Sequence, residues 1–324
     1  MTVLRGIQAP DLRPVRRDEL RACAAIWRIA LNDYIEPLNQ PPVPDDLGSI
    51  MHLYEHLVET DPDGFIVATR PDPGAPSGER IVGFAVAIVR GSLWFLSMLF
   101  ILPEEQGVGL GRLLLERVLP GPGSGLHLGT AIDSAQPVST ALYSRYGMPP
   151  RLPVLHLIGN VRRPDALPSL PAGIRATPFE ALAAGPPDGA GHRELAETVG
   201  AIDRAILGFE HPQDHRHLRM SDRRGFLYRE EGGTVLGYGY GSEVGRVGPV
   251  AVLRPDLLGP VLGHLIGAVP ARGAYSAWIP GSATDGVTAL LAAGLRIEPF
   301  PIMFCWDRPL IDFARYVPMS SGLP

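Results

Sequence analysis

The chain has 324 residues, 29 basic and 34 acidic, for a net charge of −5. That length suggests about two domains, each able to bury its own core, and the charge leaves no basic excess to hold nucleic acid. With 45% hydrophobic and 19% charged residues, the composition is that of a soluble globular protein. No apolar run approaches the roughly 18 residues of a membrane span, and residues 1–14 lack the apolar core of a signal peptide, so a cytoplasmic location without membrane contact is expected. The two cysteines, Cys23 and Cys305, lie far apart within apolar stretches, which suits buried free thiols rather than a disulfide or a metal site.

In chain order, residues 11–15 read as a short extended segment, and over 17–32 Leu20, Ala24, Ile26, Trp27, Ala30 and Leu31 recur at helical spacing. Pro37, Pro41, Pro42 and Pro44 break the chain before a second helix at 47–58. Residues 64–70, 80–90 and 92–102 are rich in Val, Ile and Phe and divided by Pro/Gly or Arg-Gly turns, the pattern of an antiparallel meander. A helix at 109–119, a strand at 125–132, a helix at 137–146 and a strand at 153–159 complete a first α/β domain, 1–161. Residues 162–173, with Pro164, Pro168 and Pro171, form an extended linker.

The second half, 174–324, repeats the order. An extended segment at 174–177 precedes helices between 192 and 218 and strands at 225–229, 234–243 and 246–253. A helix at 257–269, a strand at 274–279, a helix at 285–293 and a strand at 297–306 follow. Arg145-Tyr146-Gly147-Met148 in the first half answers Ala292-Ala293-Gly294-Leu295 in the second, which supports two copies of one topology.

After the strand at 92–102 the chain reads Pro103-Glu104-Glu105-Gln106-Gly107-Val108-Gly109-Leu110-Gly111-Arg112 and enters a helix. Glycines there let the backbone approach a ligand, and the unpaired N–H groups of a helix start, with the positive end of its dipole, suit phosphate oxygens. There is no Gly-Lys-Ser/Thr ending of a P-loop, and the preceding meander is not a βαβ unit, so neither common nucleotide loop fits.

This segment resembles the GNAT acyltransferases, whose pyrophosphate loop reads Arg/Gln-x-x-Gly-x-Gly/Ala after a strand ending near a proline; Gln106, Gly109 and Gly111 fill it. The family's next signature, Asn-x-x-Ala-x-x-Leu-Tyr-x-x-x-Gly-Phe on a later helix, is met in order by Gln136, Ser139, Leu142, Tyr143, Gly147 and Met148, with Gln for Asn, Ser for Ala and Met for Phe. The resemblance implies an α/β protein of two tandem GNAT-like domains, each a twisted mixed β-sheet flanked by helices. It also implies acetyl-CoA as acyl donor, with the pyrophosphate on Gln106, Gly107, Val108, Gly109, Leu110, Gly111 and Arg112. The pantetheine arm would lie along Leu99, Phe100 and Ile101, with Gln136 also at the cofactor. The amine of a small molecule or peptide would attack the thioester directly, and Tyr143 would protonate the leaving thiolate.

No carboxylate stands on the motif strand where some relatives keep a base; Trp94, Phe95 and Ser97 occupy those places. Asp133 is the substitute base, read otherwise as a turn aspartate, with His127, His52, His56 and Glu59 behind it. This gap keeps open a non-catalytic acyl-CoA-binding protein as the alternative. No group of His, Cys or carboxylates has metal-ligand spacing, so no metal is expected. In the second half Pro255-Asp256-Leu257-Leu258-Gly259-Pro260 replaces the glycine loop and Leu290 replaces the tyrosine, which reads as a degenerate copy. Its polar run, Asp203-Arg204 and residues 208–217, reads as a solvated helix end and loop, or as an acceptor-site lining.

Overall fold

The computed structural model describes residues 9–186 and 189–323. The expected lack of a leader rests partly on residues 1–8, which lie outside the described residues. No helix among the described residues is long and apolar enough to cross a membrane. By internal contact the chain divides into two compact units, Met1–Val89 with Trp94–Leu126, and Arg90–Leu93 with His127–Pro324. That division falls upstream of the proline-rich 162–173 segment.

The first unit is built from β1 (Asp11–Pro14), α1 (Leu20–Ile35), α2 (Gly48–Thr60), β2 (Phe65–Pro71), β3 (Glu79–Arg90), β4 (Leu93–Ile101) and α3 (Leu110–Val118). β1 and β3 flank β2 in antiparallel pairs, and β4 lies beside β3. β2 and β3 are buried at nearly every position rather than at alternate ones, which is why they read as continuous apolar runs: both faces are covered. α1 buries Leu20, Cys23, Ala24, Ile26 and Ala30. Tyr54 of α2 packs edge-on to Phe65 and Phe84, with ring centroids 5.5 and 5.7 Å away, and Phe84 also meets Phe100 at 5.8 Å. This aromatic cluster joins α2 to three strands.

The second unit holds β5 (His127–Asp133), α4 (Pro137–Arg145), β6 (Pro150–Gly159), β7 (Ile174–Pro178), α5 (Phe179–Leu182), α6 (Ala190–Ile206), α7 (Pro212–Met220), β8 (Arg223–Glu230), β9 (Val235–Ser242) and β10 (Val247–Val252). It continues with α8 (Leu258–Ala268), β11 (Tyr275–Pro280), α9 (Thr284–Ala293), β12 (Arg296–Ile297), β13 (Ile302–Trp306) and β14 (Tyr316–Val317). A five-stranded sheet runs β14-β10-β9-β8-β7. α8 lays Leu258, Val261, Leu262, Leu265 and Ile266 into the core beside it, positions that share one helical face.

Two strand features depart from the sequence reading. The single strand expected at 297–306 is broken into β12 and β13: Pro299 and Pro301 carry no N–H to pair, and Phe300 between them takes a left-handed φ of 58°. β13 then pairs antiparallel with both β5 and β6, while β11 pairs with the other edge of β6, so strands from the second half of the sequence complete those from the first. β14 was not expected; two residues carry no readable period.

The aromatic cluster makes a quantitative test. Phe84→Ala removes a fully buried ring and should destabilise the protein by about 3–5 kcal/mol, measured as the loss of unfolding free energy in urea.

Candidate functional site

In the first unit the chain leaves β4 through one turn of 3-10 helix, Pro103–Glu105, and passes Gln106 in extended conformation. Gly107 and Gly109 then take left-handed φ values of 76° and 89°, and α3 starts at Leu110. A Cβ built on either glycine meets nothing within 4 Å, so glycine is required by the backbone path and not by crowding. The Leu113 N–H bonds the Gly109 carbonyl at 3.2 Å as the first turn of α3 closes, and the amides ahead of it stand at the helix start, where the ladder offers them no carbonyl. These N–H groups sit at an exposed helix start, where the macrodipole adds positive potential.

The loop is held from below. Glu105 is buried and accepts from Arg70 of β2 at 2.7 Å and Arg80 of β3 at 3.0 Å. Gln106 donates through Nε2 to the Ile101 carbonyl at 3.0 Å, so its side chain braces the loop against β4. At the far end of α3, Trp94 Nε1 donates to the Val118 carbonyl at 3.1 Å. Leu110 and Ile101 are buried, whereas Val108, Gly111, Leu99 and Phe100 are half-buried, so Leu110 has only its backbone to offer a ligand. Arg112 is exposed and pairs along α3 with Glu116 at 2.9 Å. On α2, His52 and Glu59 are exposed and His56 is buried.

Tyr143, Gln136 and Asp133 belong to the second unit. Tyr143 lies on α4, 5% exposed. Burial pushes its hydroxyl well above the ordinary phenol range, and a hydrogen bond with Ser139 draws part of that back, so it carries its proton at neutral pH. Gly147, at a φ of 83°, closes α4 in a Schellman cap, with Met148 N–H on the Tyr143 carbonyl at 3.0 Å and Gly147 N–H on Ser144 at 3.2 Å. Gln136 is the half-buried N-cap of the same helix and makes no side-chain capping bond. Asp133 ends β5, and its Oδ1 accepts from the Ala135 amide at 3.1 Å, the contact of a turn aspartate. His127 Nδ1 accepts from Arg308 Nε at 3.1 Å.

The second-half counterparts carry no such chemistry. Leu257, Leu258 and Gly259 are buried at the start of α8, so no open amide cradle forms there. α9 repeats the α4 cap, with Leu295 N–H on Leu290 at 3.1 Å and Gly294 N–H on Leu291 at 3.0 Å. Leu290 thus occupies the place of Tyr143.

The polar run of the second half is solvated only in part: Arg204 and Arg216 are exposed, whereas four of its charged or imidazole side chains are not. Asp203, His211, Asp214 and His215 are each less than 7% exposed, because α6 and α7 turn them inward against Tyr238 and Tyr240 of β9. Arg90 clasps Asp214 with two bonds, Nε–Oδ2 2.6 Å and Nη2–Oδ1 2.9 Å. His215 meets Asp203 Oδ2 through Nε2 at 2.9 Å and the Tyr240 hydroxyl through Nδ1 at 2.8 Å, while Tyr238 donates to Asp203 Oδ1 at 2.7 Å. Burial disfavours a charged His211, but the Asp203 and Asp214 carboxylates outweigh it and raise its pKa to about 9. Burial and the neighbouring His211 charge push His215 the other way. A cavity of 110 Å³, lined in part by Val199, Asp203, Glu210, His215, Arg219 and Tyr240, opens beside the group. The one local signal in the sequence is His211-x-x-x-His215, two imidazoles four residues apart.

Residues 23–148 match the profile of the Acetyltransferase (GNAT) family. No curated protein matches the sequence. Among solved structures, a putative acetyltransferase from Pyrococcus horikoshii shares the fold with a TM-score of 0.72 at 15% identity, over 100% of this chain and 99% of that one. A GCN5-related N-acetyltransferase from Sphaerobacter thermophilus gives 0.58 at 17% identity, over 94% and 98%. A tandem GNAT protein from the clavulanic acid biosynthesis pathway gives 0.54 at 16% identity, over 93% and 99%. At these identities the structural likeness establishes the fold.

The open surroundings of Gly109 set the size of its conformational constraint. Gly109→Ala should cost about 1–2 kcal/mol, the penalty for an L-residue at left-handed φ, read from thermal denaturation. A loss of 4 kcal/mol or more would mean that this loop is packed rather than open.

Proposed function

We propose for this chain, whose residues 23–148 match the profile of the GNAT acetyltransferase family, the activity of an acetyl-CoA-dependent N-acetyltransferase acting on the amine of a small molecule or peptide. The observation that carries the reading is the run of backbone amides from 107 to 111 at the exposed start of α3, set by two left-handed glycines. Such a row is built to receive pyrophosphate oxygens. In this proposal Gly107, Val108, Gly109, Leu110, Gly111 and Arg112 take the pyrophosphate through their backbone N–H groups. Gln106 keeps the cradle in place through Ile101, and half-buried Leu99 and Phe100 offer edge area to the pantetheine arm.

The acceptor amine attacks the thioester carbonyl carbon, the C–S bond breaks, and the thiolate takes a proton. Tyr143 is the proposed donor, since its phenol stays protonated at neutral pH. Asp133 is the proposed acceptor of the amine proton through Oδ2, with Oδ1 held by the turn. The second reading is an acyl-CoA-binding protein without turnover, favoured by the absence of a carboxylate among the residues of β4.

Acetyl-CoA at 100 times its dissociation constant should stabilise the protein by roughly 2.7 kcal/mol in a thermal titration. Gly109→Asp, which puts a negative charge on the phosphate cradle, should abolish that shift. With an acceptor found by screening amines for CoA release, Tyr143→Phe should leave acetyl-CoA affinity unchanged and lower turnover by about 10²- to 10⁴-fold. Turnover within about twofold of the parent removes Tyr143 from the mechanism. Binding without CoA release to any amine selects the second reading.

A further inference from the structure

We propose that Asp203, His211 and His215 form a binding site for a divalent transition metal, with zinc the best chemical match, in the C-terminal half of the chain and independent of the acyl-CoA reading above. Each of the three presents one ligand atom, and those atoms all lie within 4.8 Å of one another. Asp203 Oδ2 is 2.9 Å from His215 Nε2 and 3.4 Å from His211 Nε2. Tetrahedral zinc, with bonds of about 2.0–2.1 Å to nitrogen and oxygen, holds its ligand atoms about 3.4 Å apart, so the side chains need only small movements to close on an ion.

The outward atoms of the same residues are already occupied. Tyr238 donates to Asp203 Oδ1 at 2.7 Å, and Tyr240 meets His215 Nδ1 at 2.8 Å. His211 Nδ1 lies 3.3 Å from Asp214, whose carboxylate is fixed by Arg90. A carboxylate behind one ligating imidazole and hydroxyls behind the other ligands orient the inner atoms toward a common point, as outer partners do in metalloproteins. An imidazole-rich nitrogen and oxygen set suits zinc or its transition-metal neighbours and not magnesium or calcium.

A purely structural ion network leaves most of its buried polar atoms bonded. Here His211 Nε2 is buried with no hydrogen-bond partner, because its approach to Asp203 is off the line of a hydrogen bond. The atom points into the group and lacks what a metal would supply. With three protein ligands, a fourth position remains for water or a small oxygen ligand, and the 110 Å³ cavity that Asp203 and His215 line provides the space. On binding, the proton on His211 Nε2 passes to solvent, His215 changes tautomer so that its proton sits on Nδ1 toward the Tyr240 hydroxyl, and the ion takes the vacated place between the two Nε2 atoms and Asp203.

The test uses the full chain after chelator treatment, titrated with Zn²⁺ in competition with a chromophoric chelator. One equivalent should bind with a dissociation constant tighter than micromolar. His211→Gln and Asp203→Asn should weaken binding by 100-fold or more, and Tyr240→Phe by roughly 10-fold, the scale of an outer partner. His156→Gln, a change in a histidine paired with Glu298 and Ser276, should leave the titration as it was. Co²⁺ added to the unmutated protein should give the intense visible absorption of a four-coordinate site, which decides the matter if a variant fails to fold. Stoichiometry below a tenth of an equivalent overturns the proposal, as does unchanged affinity in His211→Gln, loss of binding in His156→Gln, or only the weak spectrum of six-coordinate Co²⁺. Those results would leave the group as a proton-filled ion network.

Discussion

The second unit depends on one pairing. β13 lies antiparallel between β5 and β6, with Ile302 opposite both Asp133 and Val154. β5 and β6 are joined by α4 and so cannot form a simple hairpin; each has an edge that needs hydrogen-bond partners, and the end of the chain supplies them. Because Asp133 closes β5 and Gln136 caps α4 three residues later, the placement of α4 follows from a strand contributed by the far end of the sequence. Burial of Phe304 and Cys305 on that strand fixes its register, since a one-residue slip would turn them outward.

The second constraint is electrostatic. Arg90, Asp214, His211 and Asp203 place alternating charges where each ion would cost about several kcal/mol to desolvate alone. They are tolerated because every charge faces an opposite one at close range, and Tyr238 and Tyr240 satisfy remaining lone pairs. Such a group adds little net stability over well-packed apolar residues, but it tolerates few arrangements. It holds Arg90, the end of α6 and the start of α7 in one geometry. Gly91 adds to this fit, since a Cβ there would stand 2.5 Å from that of Phe209.

Duplication separates scaffold from chemistry. The same Schellman cap closes α4 and α9, with Tyr143 and Leu290 at equivalent positions. The Tyr-x-x-x-Gly spacing is therefore a property of the helix end, and the acid role proposed for Tyr143 rests on the hydroxyl alone. In the same way α3 and α8 both follow a strand and a short 3-10 turn, yet only α3 is preceded by left-handed glycines that leave amides open. α8 instead enters the core through Leu257 and Leu258.

The sequence by itself determined what depends on neighbours within a few residues. Apolar periods placed the longer helices and strands but not the four-residue α5, and prolines marked the breaks. Gln106, Gly109 and Gly111 disclosed a glycine-led helix start after a strand, because glycine content and the step from strand to helix are local properties. Tertiary structure decided what depends on burial and on distant pairing. No local pattern shows that Ile302–Trp306 completes β5 and β6, since strand partners are chosen by edges and register across the whole chain. Nor could a run containing Asp203, His211, Asp214 and His215 be told from a solvated helix end, because charge is written in the sequence while its exclusion from water is set by the helices and tyrosines that close around it.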